Sequence, residues 1–307
     1  MFPDESQSVV TKLENPLFEE QGIEVSIKRE DLIHPLISGN KWRKLKYNIQ
    51  AARQSGYDTI CSFGGPFSNH IHALSHAGRL YQFKTIGVIR GEERYKDNPT
   101  LKSASDAGMH LHFVNREDYR VKHHQFFINA LMDRFGKFYL LPEGGTNRIA
   151  IKGCQEIMNE VSEEFEIVCA SCGTGGTASG IISSLTSEQK FIGFSSLKGN
   201  FMEEEISKLL NNLSNQYEAK LEINNDYHFG GYGKYTAPLI RFINDFQDQF
   251  KIGLDPIYTG KMFYGLFELI KSGYFKSGTQ ILAIHTGGLQ GIAGFNYING
   301  PLINSLE

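Results

Sequence analysis

The chain has 307 residues, 40% apolar and 21% charged, the balance of a globular protein with ample core, which excludes an intrinsically disordered one. Its 31 basic and 34 acidic side chains leave a formal net charge of −3, too weak a field to draw nucleic acid or anionic lipid. No apolar run nears the roughly 18 residues that a spanning helix needs, and the first turns carry Asp4, Glu5 and Glu14 in place of a signal peptide's apolar stretch. Strand-like runs are expected at 24–28, 59–63, 85–89, 110–114, 138–141, 167–170, 191–194 and 280–285. Helical periodicity fills the intervals at 41–54, 69–81, 100–107, 116–135, 147–162, 177–185 and 235–250, with glycine stops at Gly56, Gly108 and Gly136. Such alternation predicts an α/β protein of mostly parallel sheets flanked by helices, with ligands at the carboxyl ends of strands. The turn-rich Pro142-Glu-Gly-Gly-Thr-Asn147 stretch is the best internal break.

Taken in chain order, the first chemical candidate is Lys41. It follows Gly39-Asn40 where a helix begins, with Asn40 read as the N-cap. The positive end of the helix dipole disfavours an ammonium there, and a lysine with lowered pKa can condense with an aldehyde. Taken alone, a first-turn lysine is more often a solvated charge. Ser68 and Asn69 open the next helix after Gly64-Gly-Pro-Phe67, placing short donors where an anion is favoured; simple capping explains them equally well. His70 and His72 have H-x-H spacing, but on a helix they point about 200° apart, which argues against one shared metal ion.

Further along, Gly173, Thr174, Gly175, Gly176 and Thr177 link an apolar strand to a helix, a loop suited to cradling phosphate. The same segment satisfies the dinucleotide pattern at Gly173, Gly175 and Ala178, yet the next strand ends in Ser195-Ser196 and not in the acid a ribose needs. Cys169 and Cys172 have C-x-x-C spacing without a second pair, so buried thiols are expected there. Four cysteines in all suit a reducing cytoplasm. Tyr232, in a Gly-rich loop, and Tyr258, before Thr259-Gly-Lys261, offer aromatic hydroxyls; Thr286 follows a last strand.

Lys28-Arg-Glu-Asp-Leu32, Gly39-Asn-Lys-Trp-Arg-Lys-Leu45 and Gly64-Gly-Pro-Phe-Ser-Asn-His70 resemble the 1-aminocyclopropane-1-carboxylate (ACC) deaminase/D-cysteine desulfhydrase family. The order continues through the Gly173 loop, Gly231-Tyr-Gly233, the Asp255–Lys261 motif and His285-Thr-Gly-Gly288, so the likeness spans nearly the whole chain. The resemblance implies a pyridoxal 5′-phosphate (PLP) enzyme of the tryptophan-synthase-β type (fold type II), acting on a small amino acid as a homodimer. It implies a large domain from residues 1–44 and 143–307, with residues 45–142 inserted as a small one.

By the same resemblance, Lys41 would bind the cofactor covalently and shuttle the α-proton. Lys44 and residues Gly173 to Thr177 would hold its phosphate, and Asn69 its ring oxygen. Ser68 would take the substrate carboxylate or assist proton transfer, while Tyr232 and Tyr258 would serve as acid/base or orienting groups. Thr259 and Thr286 would face the ring nitrogen.

Four positions depart from the family pattern. Thr259 stands where the ring-opening deaminases carry glutamate, and a neutral partner would leave the ring a weaker electron sink. That favours elimination of a thiol, D-cysteine giving pyruvate, ammonia and sulfide, over conversion of ACC to 2-oxobutanoate. Trp42, His72 and Phe229 replace a small residue, an arginine and a glycine. A metal-dependent hydrolase using His70 and His72, and a non-catalytic relic of the fold, are the readings from other classes.

Overall fold

Residues Thr59–Gly64 (TICSFG) are buried at all six positions, as a strand covered on both faces must be. The computed structural model describes residues 2–213 and 217–304, and its strands Ile167–Cys172, Lys190–Ser195 and Gln280–Ile284 are buried at every position but the first. Its strands are β1 (Val10–Leu13), β2 (Glu24–Lys28), β3 (Thr59–Gly64), β4 (Lys84–Arg90), β5 (His110–Val114), β6 (Tyr139–Leu141), β7 (Ile167–Cys172), β8 (Lys190–Ser195), β9 (Lys220–Asn224) and β10 (Gln280–Ile284). Its helices are α1 (Pro16–Gln21), α2 (Asn40–Gln54), α3 (Asn69–Tyr81), α4 (Pro99–Asp106), α5 (Arg116–Arg120), α6 (Gln125–Phe135), α7 (Arg148–Asn159), α8 (Gly176–Ile182), α9 (Met202–Asn211), α10 (Ala237–Phe250), α11 (Thr259–Lys271) and α12 (Gly291–Asn299). No helix among the described residues is long and apolar enough to cross a membrane.

The strands make a six-stranded sheet, β1-β2-β10-β7-β8-β9, and a four-stranded sheet, β5-β4-β3-β6. Among the described residues only the edge pair β1–β2 is antiparallel, and the other pairings are parallel. This is the expected α/β architecture of fold type II. The smaller sheet draws all its strands from residues between Thr59 and Leu141, whereas the larger one takes strands from both ends of the chain. The expected domain edge at residue 45 falls inside α2, whose Leu45, Ile49 and Ala52 pack with Ile60, Ile71 and Leu74 of the small sheet's layer. One face of the large sheet packs on α10 and α11 through Ile243, Phe246, Phe263 and Leu266. The other packs on α7, α8 and α9 through Ile157, Ile181 and Ile206.

The expected helix over 116–135 is two helices. His124 is extended (φ −76°, ψ 139°), and its carbonyl accepts the N–H groups of Phe127 and Ile128 to start α6. Cys169 and Cys172 are buried free thiols, and burial pushes Cys172 up to about 12, away from thiolate chemistry at neutral pH.

Candidate active site

Strands β3, β4, β6, β7 and β10 all end toward one cavity of about 390 Å³, lined by the loops that follow them. Open parallel sheets place ligands at such carboxyl ends. A larger groove of about 660 Å³, lined by Tyr47, Gln50, Lys152 and Gln155, has no comparable set of donors and nucleophiles.

Lys41 reaches the cavity because α2 starts against the loop after β10. Gly39 has φ +59°, and a Cβ there would lie 2.1 Å from the Thr286 carbonyl oxygen, so only glycine fits this approach. Gly39, not Asn40, caps the helix, and it does so without a side-chain bond. Asn40 is instead inside the first turn, where its side chain donates to Thr177 Oγ1 (2.9 Å) and accepts from Lys41 Nζ (2.8 Å). Burial, reinforced by the Lys44 ammonium, brings the Lys41 amine down to about 7. Desolvation is therefore the main cause of the shift.

Lys44 is fully buried and donates to Gly144 O (3.1 Å), Thr146 Oγ1 (2.9 Å) and Thr174 Oγ1 (3.3 Å). All three are neutral acceptors, and no carboxylate pairs with it among the described residues. Beside it, the N–H groups of Thr174, Gly175, Gly176 and Thr177 have no acceptor among the described residues. Gly173, Thr174, Gly175 and Thr177 line the cavity, while Gly176 sits behind them against Thr146 and the Lys44 ammonium.

Opposite, Ser68 caps α3 by accepting the Ile71 N–H (3.3 Å), and Asn69 is buried with its amide against Gly288 and Gly291. Both line the cavity, and the Asn69 amide has no hydrogen bond among the described residues. His70 Nε2 meets Ser62 Oγ (2.8 Å), whereas His72 Nε2 meets Ser103 Oγ (3.1 Å), so the two rings do not converge on a shared metal position. Tyr258 and Tyr232 line the same cavity with ring centroids 6.3 Å apart. Burial raises the Tyr258 phenol well above its ordinary value; Tyr232, 43% exposed, is raised by the same leading cause. Phe229, where a glycine was expected, adopts the left-handed conformation anyway (φ 55°) and opens the Tyr232 loop.

Thr259 departs from its expected place. Its hydroxyl donates to Asp255 Oδ2 (2.7 Å) and accepts the Asp255 N–H (2.9 Å), closing a turn at the start of α11 away from the cavity lining. Thr286 does line the cavity, with Ser171 Oγ 3.3 Å from its hydroxyl. Ser171, Asn40, His70, Arg90 and Glu143 are lining residues that sequence reasoning missed. Position at a strand's carboxyl end was the available signal for Ser171 and Arg90.

Arg43, between the two lysines on α2, turns the other way. It is fully buried, grips Glu30 through Nε (2.9 Å) and Nη2 (2.8 Å), and grips Glu160, the C-cap of α7, through Nη1 and Nη2 (2.6 Å each). Lys28 joins at Glu160 (3.2 Å), Ser8 at Glu30 (2.6 Å), and Lys46 and Tyr47 at Glu156. The backbones of α2 and α7 come close enough that a Cβ on Gly153 would lie 1.9 Å from Arg43 O.

A family model described as "Pyridoxal-phosphate dependent enzyme" matches residues 8–287. The chain belongs to that family. A putative ACC deaminase from Pyrococcus horikoshii is 33% identical over 285 residues, covering 89% of this chain and 86% of its own. A bifunctional D-cysteine desulfhydrase/ACC deaminase of Arabidopsis thaliana, described as mitochondrial, is 29% identical over 297 residues, 88% of this chain and 74% of its own. The crystal structure of an ACC deaminase homologue is 28% identical, covers 96% of this chain and 93% of that one, and superposes with a TM-score of 0.82. This PLP-dependent enzyme is thus related to the ACC deaminase/D-cysteine desulfhydrase group, whose chemistry is elimination or deamination of amino acids.

PLP suits the residues present. A buried ammonium facing only neutral acceptors, next to backbone N–H groups without partners, is an arrangement that a phosphate dianion completes. The unpartnered Asn69 amide suits a phenolate oxygen. The Lys41 amine, about 7, has a substantial neutral fraction at physiological pH. Because proton loss creates the nucleophile, the rate of PLP loading should rise with pH and level off above about 7. Stopped-flow absorbance on the apoprotein across that range checks the sign.

Proposed function

We propose that this PLP-dependent enzyme catalyses α,β-elimination from a small β-substituted amino acid, D-cysteine first, giving pyruvate, ammonia and sulfide. One observation carries the reading. Ser171 and Thr286 offer hydroxyls to the cavity, and the only carboxylate among its described lining residues is Glu143, which pairs with Lys122 at 3.2 Å. The acidic neighbour Asp255 is fully engaged, taking the N–H groups of Ile257, Tyr258 and Thr259 and the Thr259 hydroxyl. A hydroxyl partner leaves the ring nitrogen largely unprotonated. The role first given to Thr259 therefore passes to Thr286 with Ser171.

Bound PLP supplies an electron-withdrawing ring that eases loss of the substrate's α-proton. A modest sink suffices when the β-substituent departs as a thiol; opening a carbon ring demands more. In this reading Lys41 holds the cofactor and moves the proton at Cα. Lys44 and the loop from Gly173 to Thr177 anchor the phosphate, and Asn69 donates to the ring oxygen. Ser68 holds the substrate carboxylate. Tyr258, kept protonated by burial, and the more exposed Tyr232 donate toward the departing sulfur and exclude water. A cytoplasmic homodimer without nucleic-acid or membrane partners completes the reading.

Side-by-side assays of pyruvate from D-cysteine and 2-oxobutanoate from ACC test it. Faster turnover of D-cysteine is expected. Faster turnover of ACC overturns the proposal in favour of deaminase activity, the reading that the name of the Pyrococcus relative supports.

A further inference from the structure

Arg90, the last residue of β4, is an exposed cation in the cavity lining that the proposed reaction leaves without a task. Its guanidinium stacks over the ring of Tyr119, 5.5 Å from the centroid, and Tyr119 is itself buried. A Cβ on Gly65 would lie 3.7 Å from Arg90 Nη2, so the fork leans on the loop that leads to Ser68. No carboxylate pairs with Arg90 among the described residues, whereas neighbouring Lys122 has Glu143 at 3.2 Å.

An arginine on a strand end is commonly just a solvated charge. Here the aromatic platform restricts the side chain, so less rotamer entropy is lost when a ligand engages it. Lys44 is buried and Lys41 half-buried, and both serve the cofactor, whereas Arg90 is an exposed residue of the cavity lining, open to the far part of a substrate. A guanidinium offers paired donors that match a carboxylate.

We propose that Arg90 recognises a carboxylate on the β-substituent of the substrate, so that the enzyme's substrates include cysteine thioethers with an anionic tail. This rests on the elimination reading above and extends it beyond D-cysteine. The α-proton is lost and the Cβ–S bond breaks, its electron pair leaving on sulfur as a carboxylated thiolate. The aminoacrylate left behind is hydrolysed by water to pyruvate and ammonium.

The test uses two probes of nearly equal shape, S-carboxymethyl-cysteine and its neutral amide, S-carbamoylmethyl-cysteine, in both enantiomers. Binding to the PLP-loaded protein is measured by calorimetry, and pyruvate release separately. The carboxymethyl compound should bind about tenfold tighter or more, the scale of a charged hydrogen-bonded pair. That ratio should fall to about one in Arg90→Gln and be partly kept in Arg90→Lys, which retains charge without the fork. Because the readout is a ratio on one protein, a general loss of affinity cancels. Equal binding of the two probes to wild type, a preference that survives Arg90→Gln, or no binding of either overturns the Arg90 assignment. Preferential binding without pyruvate from any substrate leaves Arg90 assigned and overturns elimination; pyruvate from D-cysteine without the binding preference does the reverse.

Discussion

Lys41→Ala should lower turnover by about a thousandfold or more, the scale of losing a positioned proton-transfer group, and should remove covalent attachment of the cofactor. No neighbour can substitute. Lys44 is the nearest amine on the same helix face, but its ammonium is committed to Gly144 O, Thr146 and Thr174, where the phosphate would sit. Borohydride reduction followed by peptide mapping gives the decisive readout. The wild type should carry the pyridoxyl label at residue 41 alone, and the variant should carry none. A label on Lys44, or unchanged activity in the variant, would show that the wrong amine has been assigned.

Arg43→Met should destabilise the protein by about 3–5 kcal/mol, although residue 43 does not line the cavity, because Glu30 would be left charged and fully buried. Glu30 would retain only the Ser8 hydroxyl (2.6 Å), and Glu160 only Lys28 (3.2 Å). Urea unfolding of Arg43→Met, Glu30→Gln and the double variant measures the effect. The double variant should lose clearly less than the sum of the two singles, since the second change removes the stranded charge. Additive losses would mean that the pair is not coupled. Some loss of PLP affinity should accompany the destabilisation, because the α2–α7 contact fixes the helix that bears both lysines.

Much of this architecture was legible because buried parallel strands write long apolar runs and their helices keep a regular period. Runs such as Val168 to Ala170 and Ile281 to Ile284 admit few other readings. The elements that escaped are those with weak patterns: β1 and β9 lie on sheet edges and are largely half-exposed or exposed. The short α1 was set by a local cap at Asn15, which its few apolar residues hardly announce, and α9 and α12 went unread as well. At the site, motif order named most of the cavity wall. It could not tell that Asn40 turns inward to Thr177, nor that Thr259 bonds back to Asp255, because both depend on where a side chain rotates in three dimensions. Arg90 had only its place at a strand's carboxyl end to mark it, because its surroundings, Tyr119 and Gly65, are remote in sequence and meet only through the sheet.

Lys41 and Lys44 ride one turn of α2, three residues and so about 4.5 Å of helical rise apart. The helix therefore acts as a ruler: the distance between the amine for the aldehyde and the amine for the phosphate follows from backbone pitch, not from how the two sheets happen to lean together. Any swing of the smaller sheet that widens the entrance would carry Asn69 of α3 with it but leave that spacing untouched, so the molecule can admit an amino acid and release products while its two lysines keep their separation.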